Sequence, residues 1–274
     1  MPVIAMNQEM ASLGKDVAEA LAEELGLSLV THEVVAHLAE KMHTRKSLLR
    51  RVLEGRAGVI DRLKTDSRSV STFLAEEVFE LAAQGNVVIR GWGATYLLRG
   101  IPHIPCVRIC APMDYRKRWL MERLDTDDES LVMEELRRSD AAHAHNMNMR
   151  FGVTWGDPLL YDLVLNTERL SVAACVAQIK ALLADPVFAE TEESRRKLAN
   201  AALEAHVKAG LKEAADTTNV DITVTANGGM VVLEGIVAEE EECDAAERVV
   251  LCQAGVTKVD NRLRSLSARM RDGE

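Results

Sequence analysis

The chain lacks any long apolar run. No stretch approaches the roughly 18 apolar residues of a membrane-spanning helix, and the first residues show no basic segment followed by an apolar core and a cleavage site. These absences argue against membrane helices and against a secretory signal. We therefore expect a cytoplasmic protein.

Closely spaced cysteine pairs are also missing. None of the five cysteines stands in a C-x-x-C arrangement, and most of them lie in apolar segments. We expect buried free thiols and assign no metal-ligating residues.

Basic residues are in the minority. The chain has 33 Lys and Arg against 43 Asp and Glu, which gives a formal net charge of −10. Because phosphate repels a protein of this charge, we expect no general nucleic-acid binding, although a local basic pocket is compatible with it. The 274 residues suffice for one large domain or for a medium and a small one.

The first two thirds of the chain alternate short apolar runs with helical periodicity. This pattern predicts the α/β class, with a parallel sheet flanked by helices. The predicted strands are residues 3–6, 28–31, 87–90, 107–111 and 163–166. The predicted helices are residues 15–25, 70–83 and 171–183. Residues 114–144 are charged and helical throughout, which fits either a solvated surface helix or a mobile lid.

The pattern changes after residue 185. The next residues are polar and lose periodicity, so we predict a linker at 186–195. A small antiparallel α+β module is then predicted, with helices at 196–215 and 239–251 and strands at 220–224, 230–237 and 258–263. We expect four parts in all: residues 1–185, 186–195, 196–268 and a tail at 269–274.

One motif near the start carries chemistry. Gly14 and Lys15 stand in the register of G-x-x-x-x-G-K-[ST], the loop whose backbone N–H groups cradle phosphates. Glu9 occupies the first glycine position, however, and Asp16 occupies the hydroxyl position. The loop therefore either binds phosphate at the start of the following helix or is a structural relic.

Four patches in order resemble the bacterial cytidylate kinase-like family. They are residues 14–26, which begin Gly-Lys-Asp; residues 88–94, Val-Ile-Arg-Gly-Trp-Gly-Ala; residues 111–116, Ala-Pro-Met-Asp-Tyr-Arg; and residues 155–163, which begin Trp-Gly-Asp-Pro. The resemblance spans residues 1–185. It implies the fold of P-loop nucleoside-monophosphate kinases.

The resemblance also implies a role for each matching position. ATP with Mg²⁺ is the implied phosphoryl donor, and Lys15, Arg123 and Arg138 are the implied catalytic residues. The residues implied to hold the donor are Ser12, Leu13, Gly14, Lys15 and Asp16. Those implied to hold the acceptor are Arg90, Gly91, Trp92 and Gly93, and those of the lid are Arg137, Asp140, His143 and Arg150.

Several of these positions depart from the family's usual residues. Relatives commonly have glycine where this chain has Ala11 and Leu13, and a Cβ at Leu13 obstructs close approach of the backbone to phosphate. Thr31 stands where relatives tend to have Asp, and Trp92 and His143 stand where they have Arg. An indole or a neutral imidazole supplies less positive charge than a guanidinium.

Residues 197–265 resemble a BON domain. The residues that carry this resemblance are 222–228, 232–237 and 255–261, which include Asn-Gly and Gly-Val signatures. BON domains are associated with membranes, phospholipids or other macromolecules. The resemblance thus implies a protein or phospholipid partner, and a homo-oligomer also stays open.

Three functions are compatible with the sequence. The first is a cytidylate kinase-like protein with a degraded active site, which binds nucleotide or regulates and has weak or absent kinase activity. The second is an active ATP-dependent nucleoside-monophosphate kinase of the CMP type. The third is a scaffold that binds no nucleotide and is tethered by its BON-like module.

Overall fold

A parallel sheet of five strands forms the centre of the first part of the chain. The computed structural model describes residues 1–30, 38–42, 44–53, 67–91 and 93–267, so Thr31 and Trp92 lie outside the described residues. The strands are β1 (Val3–Gln8), β2 (Ser28–Val30), β3 (Val87–Arg90), β4 (Cys106–Cys110) and β5 (Leu163–Asn166). Their order is β2-β3-β1-β4-β5, and every pair is parallel. The predicted α/β class is confirmed.

Both faces of this larger sheet are covered by helices. They are α1 (Gly14–Leu25), α2 (Lys46–Leu53), α3 (Ser67–Gln84), α4 (Ala94–Leu97), α5 (Met113–Leu124), α6 (Glu129–Phe151) and α7 (Val172–Leu183), and residues 38–41 are also helical. Ile4 and Met6 pack with α1 and α7 on one face, whereas Val3 and Ala5 pack with α3 on the other. Burial of both faces explains why residues 3–6 of β1 are continuously apolar.

The charged segment at 114–144 is two helices and not one. α5 ends at Asp125, whose φ of 50° is left-handed, and Asp128 caps α6 by accepting a hydrogen bond from the Leu131 N–H at 3.0 Å. Asp tolerates the left-handed region better than most residues, so the chain turns there without glycine. Leu120 of α5 packs against Val132 and Leu136 of α6, which makes the pair a helical hairpin.

A second, smaller sheet lies near the C-terminal end. Its elements are α8 (Glu192–Glu213), β6 (Thr223–Asn227), β7 (Met230–Val237), α9 (Glu240–Leu251) and β8 (Lys258–Ser265). β6 and β7 are antiparallel through Gly228 and Gly229, both at positive φ. β8 pairs parallel to β7, so the prediction of a purely antiparallel module was wrong. α9 carries the chain back along the sheet, and β8 therefore runs in the direction of β7.

α8 belongs to both hydrophobic cores. Its first turn is closed by a capping box at Thr191 and Ser194, so the helix begins four residues before the predicted start at 196. Leu198 and Ala209 are buried in the core of the larger sheet, while Val207 and Leu211 are buried in the core of the smaller sheet. Within the described ranges, no helix is both long enough and apolar enough to cross a bilayer.

The five cysteines are free thiols in different environments. Cys106 and Cys175 are buried, Cys110 and Cys243 are half-buried, and Cys252 is exposed. The expectation of buried thiols was therefore wrong for Cys252, which lies just after α9, and it holds only in part for Cys110 and Cys243.

Candidate functional site

The loop between β1 and α1 keeps a glycine-like backbone without the glycines. Ala11 and Leu13 have φ values of 61° and 56°, which are left-handed and cost a non-glycine residue about 1–2 kcal/mol each. Ser12 fixes the loop from within: its hydroxyl donates to the carbonyl oxygens of Glu9 at 2.8 Å and Ile109 at 3.2 Å. The Thr167 hydroxyl donates to the Ser12 carbonyl at 2.8 Å. The Ser12 hydroxyl thus serves the fold.

The N-terminus of α1 has features that favour an anion. Leu13 occupies the N-cap and makes no side-chain capping bond, and the first N–H groups of a helix have no partner inside it. The positive end of the helix dipole lies there as well. Lys15 is 61% exposed and 3.5 Å from Glu19, and Asp16 is also exposed. Gly14 is buried under Gln8, whose Cβ would lie 2.5 Å from any Cβ at position 14.

A buried ion network lies beside the loop. The Glu9 carboxylate accepts from Arg108 Nη2 at 2.8 Å and from the Ala111 N–H at 3.1 Å, and it lies 3.6 Å from Arg116 Nε. Arg116 in turn makes two bonds to the Asp140 carboxylate, at 2.7 and 3.0 Å. The network therefore joins the loop to β4, α5 and α6.

The charges of this network balance. Arg108 and Arg116 are 4% and 3% exposed, so their guanidinium groups require anionic partners. Burial opposes the charge of Arg116, but Asp140 and Glu9 outweigh it and hold the pKa of Arg116 above its usual value. Two carboxylates face two guanidiniums, and both arginines thus have anionic partners within the protein, although Arg116 Nε makes an ion pair with Glu9 and no hydrogen bond among the described residues.

Aromatic side chains hold Arg108 in place. Its guanidinium lies 4.3 Å from the centre of the Trp155 ring and 5.5 Å from that of Tyr161. The Trp155 indole N–H donates to Asn7 Oδ1 at 3.1 Å, and the Trp155 carbonyl accepts from Arg108 at 3.1 Å and from the Tyr161 hydroxyl at 2.7 Å. His143 stacks on Trp155 at 5.1 Å between ring centres. The Trp-Gly-Asp-Pro patch therefore orients the ion network.

Two other arginines lie near the predicted acceptor side. Arg90 ends β3, and Gly91 follows at φ 90° with its N–H bonded to the Met6 carbonyl at 2.8 Å. Arg150 precedes Phe151, whose ring lies against Gly93. Among the described residues, Arg90 Nε and Arg150 Nη1 are buried without a hydrogen-bond partner. Burial lowers the pKa of both, to about 10 for Arg150, while Glu19 partly offsets the effect at Arg90.

The remaining predicted residues are more exposed. Arg123 lies on α5 and Arg137 and Arg138 lie on α6, and Arg138 pairs with Glu135 of its own helix. His143 Nδ1 is 2.8 Å from the Ser139 carbonyl oxygen. Trp92 falls outside the described residues. In the described part of the chain, no group of three His, Cys, Asp or Glu is placed to hold a metal ion.

The sequence did not reveal the pairing of Glu9 with Arg108. One signal was present: Arg108 is a charged residue in the middle of an otherwise apolar strand, and such a residue needs a buried partner. The partner is 99 residues away in the chain, so local spacing does not point to it.

Comparison with known proteins follows the two parts of the fold. The model of the cytidylate kinase-like family matches residues 3–169, and that of the BON domain matches residues 199–266. A cytidylate kinase of Staphylothermus marinus is 23% identical over 150 residues, which are 54% of this chain and 84% of the relative.

Two solved structures are similar to the first part of the chain. An uncharacterized protein from Eubacterium ventriosum is 20% identical with a TM-score of 0.50, over 67% of this chain and 98% of that one. A shikimate kinase from Bacteroides thetaiotaomicron is 17% identical with a TM-score of 0.39, over 66% and 98% of the two chains. With the sheet order, the loop and the matched span in agreement, the chain belongs to the cytidylate kinase-like family and carries a C-terminal BON domain.

Proposed function

We propose that the chain binds nucleotide phosphate at the N-terminus of α1 and transfers phosphoryl groups slowly or not at all. The ion network carries this proposal. Phosphoryl transfer depends on positive groups that stabilise developing negative charge. Arg108 and Arg116 already neutralise Glu9 and Asp140, and separating a buried ion pair costs about 3–5 kcal/mol. These two arginines are therefore withheld from a substrate.

The groups that would hold phosphate fit that ligand. Uncapped N–H groups and the dipole of α1 favour an anion, and exposed Lys15 adds a positive charge beside them. Mg²⁺, when bound, would screen the phosphate charge, and Asp16 in the first turn of α1 is the carboxylate suited to hold it through water. Lys15 and the helix N-terminus would orient the phosphates.

An active kinase of the CMP type is the second candidate, and one observation favours it. A buried guanidinium needs an anion or other acceptors, and both Arg90 and Arg150 have a buried N–H without a partner among the described residues. Both side chains are therefore suited to an acceptor phosphate. They would take the role that Trp92 cannot fill.

The BON domain supplies a second part of the proposal. We infer that it binds a protein or phospholipid partner and thereby localises or regulates the nucleotide-binding part. α8 supports such a role, because it packs on both cores and so connects the two binding parts directly. Flotation of the full chain with liposomes of anionic and neutral phospholipid tests whether the partner is a phospholipid. Protein that floats with the liposomes supports this, and recovery of all protein at the bottom of the gradient contradicts it.

Replacing Lys15 with Ala should abolish the stabilisation of the protein by nucleotide. A ligand at one hundred times its Kd adds about 2.7 kcal/mol to the free energy of unfolding, and Lys15 provides the exposed charge at the phosphate site. The measurement is thermal unfolding with Mg-ATP, CTP and CMP, together with a coupled assay for CMP-dependent ADP formation.

Lys197→Ala is the matched control for this experiment. Lys197 is a similarly exposed lysine that pairs with Glu193 one turn away, as Lys15 does with Glu19, but it lies on α8. Stabilisation by nucleotide that disappears only in Lys15→Ala, with little ADP formed, supports the proposal. Rapid CMP-dependent turnover would favour an active kinase of the CMP type. If no nucleotide shifts the thermal unfolding midpoint, only the scaffold that binds no nucleotide remains.

Leu13→Gly should tighten phosphate binding. Glycine adopts the left-handed φ of this position without strain, and it removes the Cβ that the sequence predicts to obstruct close approach of phosphate to the backbone. We expect the Kd for Mg-ATP to fall about fivefold to tenfold, which corresponds to about 1–1.4 kcal/mol. Isothermal titration of Leu13→Gly and of Asn86→Gly, a left-handed position before β3, separates a local effect from a general one. Equal affinities for the two variants would contradict the prediction.

A further inference from the structure

Glu76 is a buried carboxylate held by a lysine and a histidine from distant parts of the chain. It lies on α3 and is 6% exposed. His206 Nδ1 is 2.9 Å from Glu76 Oε1, and Lys41 Nζ donates to Glu76 Oε2 at 2.7 Å. Each carboxylate oxygen therefore has its own partner. His206 is 130 residues from Glu76 in sequence, and Lys41 is 35 residues from it.

The three residues connect three structural units. Lys41 ends the helical residues 38–41, which come after β2 in the chain. Glu76 belongs to α3, which covers one face of the larger sheet. His206 belongs to α8, whose Val207 and Leu211 form part of the BON core. Glu76 is thus a buried charged contact between the BON domain and the larger sheet, whereas the Arg68–Asp221 pair between α3 and the BON domain is exposed.

The charges around His206 favour its protonated form. Its hydrogen bond to Glu76 raises the pKa of His206, burial opposes this, and the charges of Glu76 and Glu80 on α3 outweigh the repulsion from Lys41. Burial opposes ionisation of Glu76, but His206 and Lys41 lower its pKa below the usual value. Both shifts therefore favour the charged pair in the folded protein.

We propose that the Glu76–His206 contact is a proton-sensitive joint that fixes the BON domain to the larger sheet when His206 is protonated and loosens it when His206 is neutral. The neutral imidazole still bonds to Glu76 through one N–H, but the ion pair across the α3–α8 contact is lost. Since residues 38–41 share the same carboxylate, loosening at α8 also changes the charge around Lys41. The joint does not depend on nucleotide binding.

The direction of the pH effect follows from the two shifts. The stabilisation from His206 is complete below its unfolded pKa, near 6.5, and is lost as the pH rises through the higher folded value. The stabilisation from Glu76 is present above its unfolded pKa, near 4.3, and is lost as the pH falls through the lower folded value. The joint is therefore strongest at mildly acidic pH and weakens above neutrality.

The test compares the full chain with its His206→Gln and His145→Gln variants between pH 6 and pH 9. His206→Gln keeps a hydrogen-bonding side chain but cannot become charged, and His145 is an exposed histidine on α6. We expect the thermal midpoint of the wild type and of His145→Gln to fall by about 2 °C more over this range than that of His206→Gln. Parallel curves for the wild type and His206→Gln would overturn the proposal.

Hydrogen exchange on the wild type alone provides a second readout. After correction for the intrinsic pH dependence, we expect amides in α8 to exchange at least twofold faster at pH 8.5 than at pH 6, while amides in β1 and β4 keep their rates. A merely structural role for His206 predicts no such pH dependence. Equal corrected rates in α8 at the two pH values would therefore overturn the proposal even if His206→Gln failed to fold.

Discussion

Replacing Arg116 with Met should lower the free energy of unfolding by about 3–5 kcal/mol, the usual cost of removing one member of a buried ion pair. Arg116 is 3% exposed and bonds to Asp140 with two N–H groups while facing Glu9. Met fills a similar volume but leaves the Asp140 carboxylate without its guanidinium. Urea unfolding followed by tryptophan fluorescence measures the loss.

Arg123→Met is the control for this variant. Arg123 is an exposed arginine on the same helix, so its replacement should change stability by less than about 0.5 kcal/mol. A second variant, Asp140→Asn, should cost a similar amount to Arg116→Met, because each removes one charge of the same pair. Equal midpoints for Arg116→Met and Arg123→Met would show that the network contributes little to stability.

Replacing Ala209 with Arg should separate α8 from the larger sheet and cost about 3 kcal/mol or more. Ala209 is 1% exposed within the core of that sheet, where a long charged side chain has neither space nor a partner. All three tryptophans, at positions 92, 119 and 155, lie in the first part of the chain. Their fluorescence should therefore report an earlier transition in urea, while the BON domain unfolds separately.

Ala199→Arg provides the matched control. Ala199 is an exposed residue of the same helix, ten positions earlier, so arginine there meets solvent. We expect its unfolding curve to match the wild type. A single cooperative transition at the wild-type midpoint in Ala209→Arg would show that α8 adds nothing to the core of the larger sheet.

The sequence predicts the larger sheet well because its signals are local. The buried strand β3 and the edge strand β5 are short apolar runs in the sequence, and α1 ends at Gly26, whose left-handed φ of 64° favours glycine. The loop position was also predictable, since Gly14 and Lys15 mark the start of a helix after a strand. The left-handed conformation of Leu13 was not, because leucine gives no signal for it.

Other features depend on distant parts of the chain. The apolar pattern of β8 indicates a strand but not the direction of its partner, so the parallel pairing with β7 was missed. The break at Asp125 lacks glycine and proline, and the charged segment therefore read as one helix. The contacts of Arg108 with Glu9 and of Glu76 with His206 join residues about a hundred positions apart, and no local pattern predicts them.

The position of α8 between two cores also constrains how the chain folds during synthesis. The larger sheet is complete once β5 has left the ribosome at Asn166, but its core still lacks Leu198 and Ala209. Part of α3, including Glu76, therefore lacks the helix that covers it until about forty more residues have emerged. At roughly 5–20 residues per second, this takes several seconds. A nascent chain at this stage is the form most exposed to aggregation and to chaperone binding.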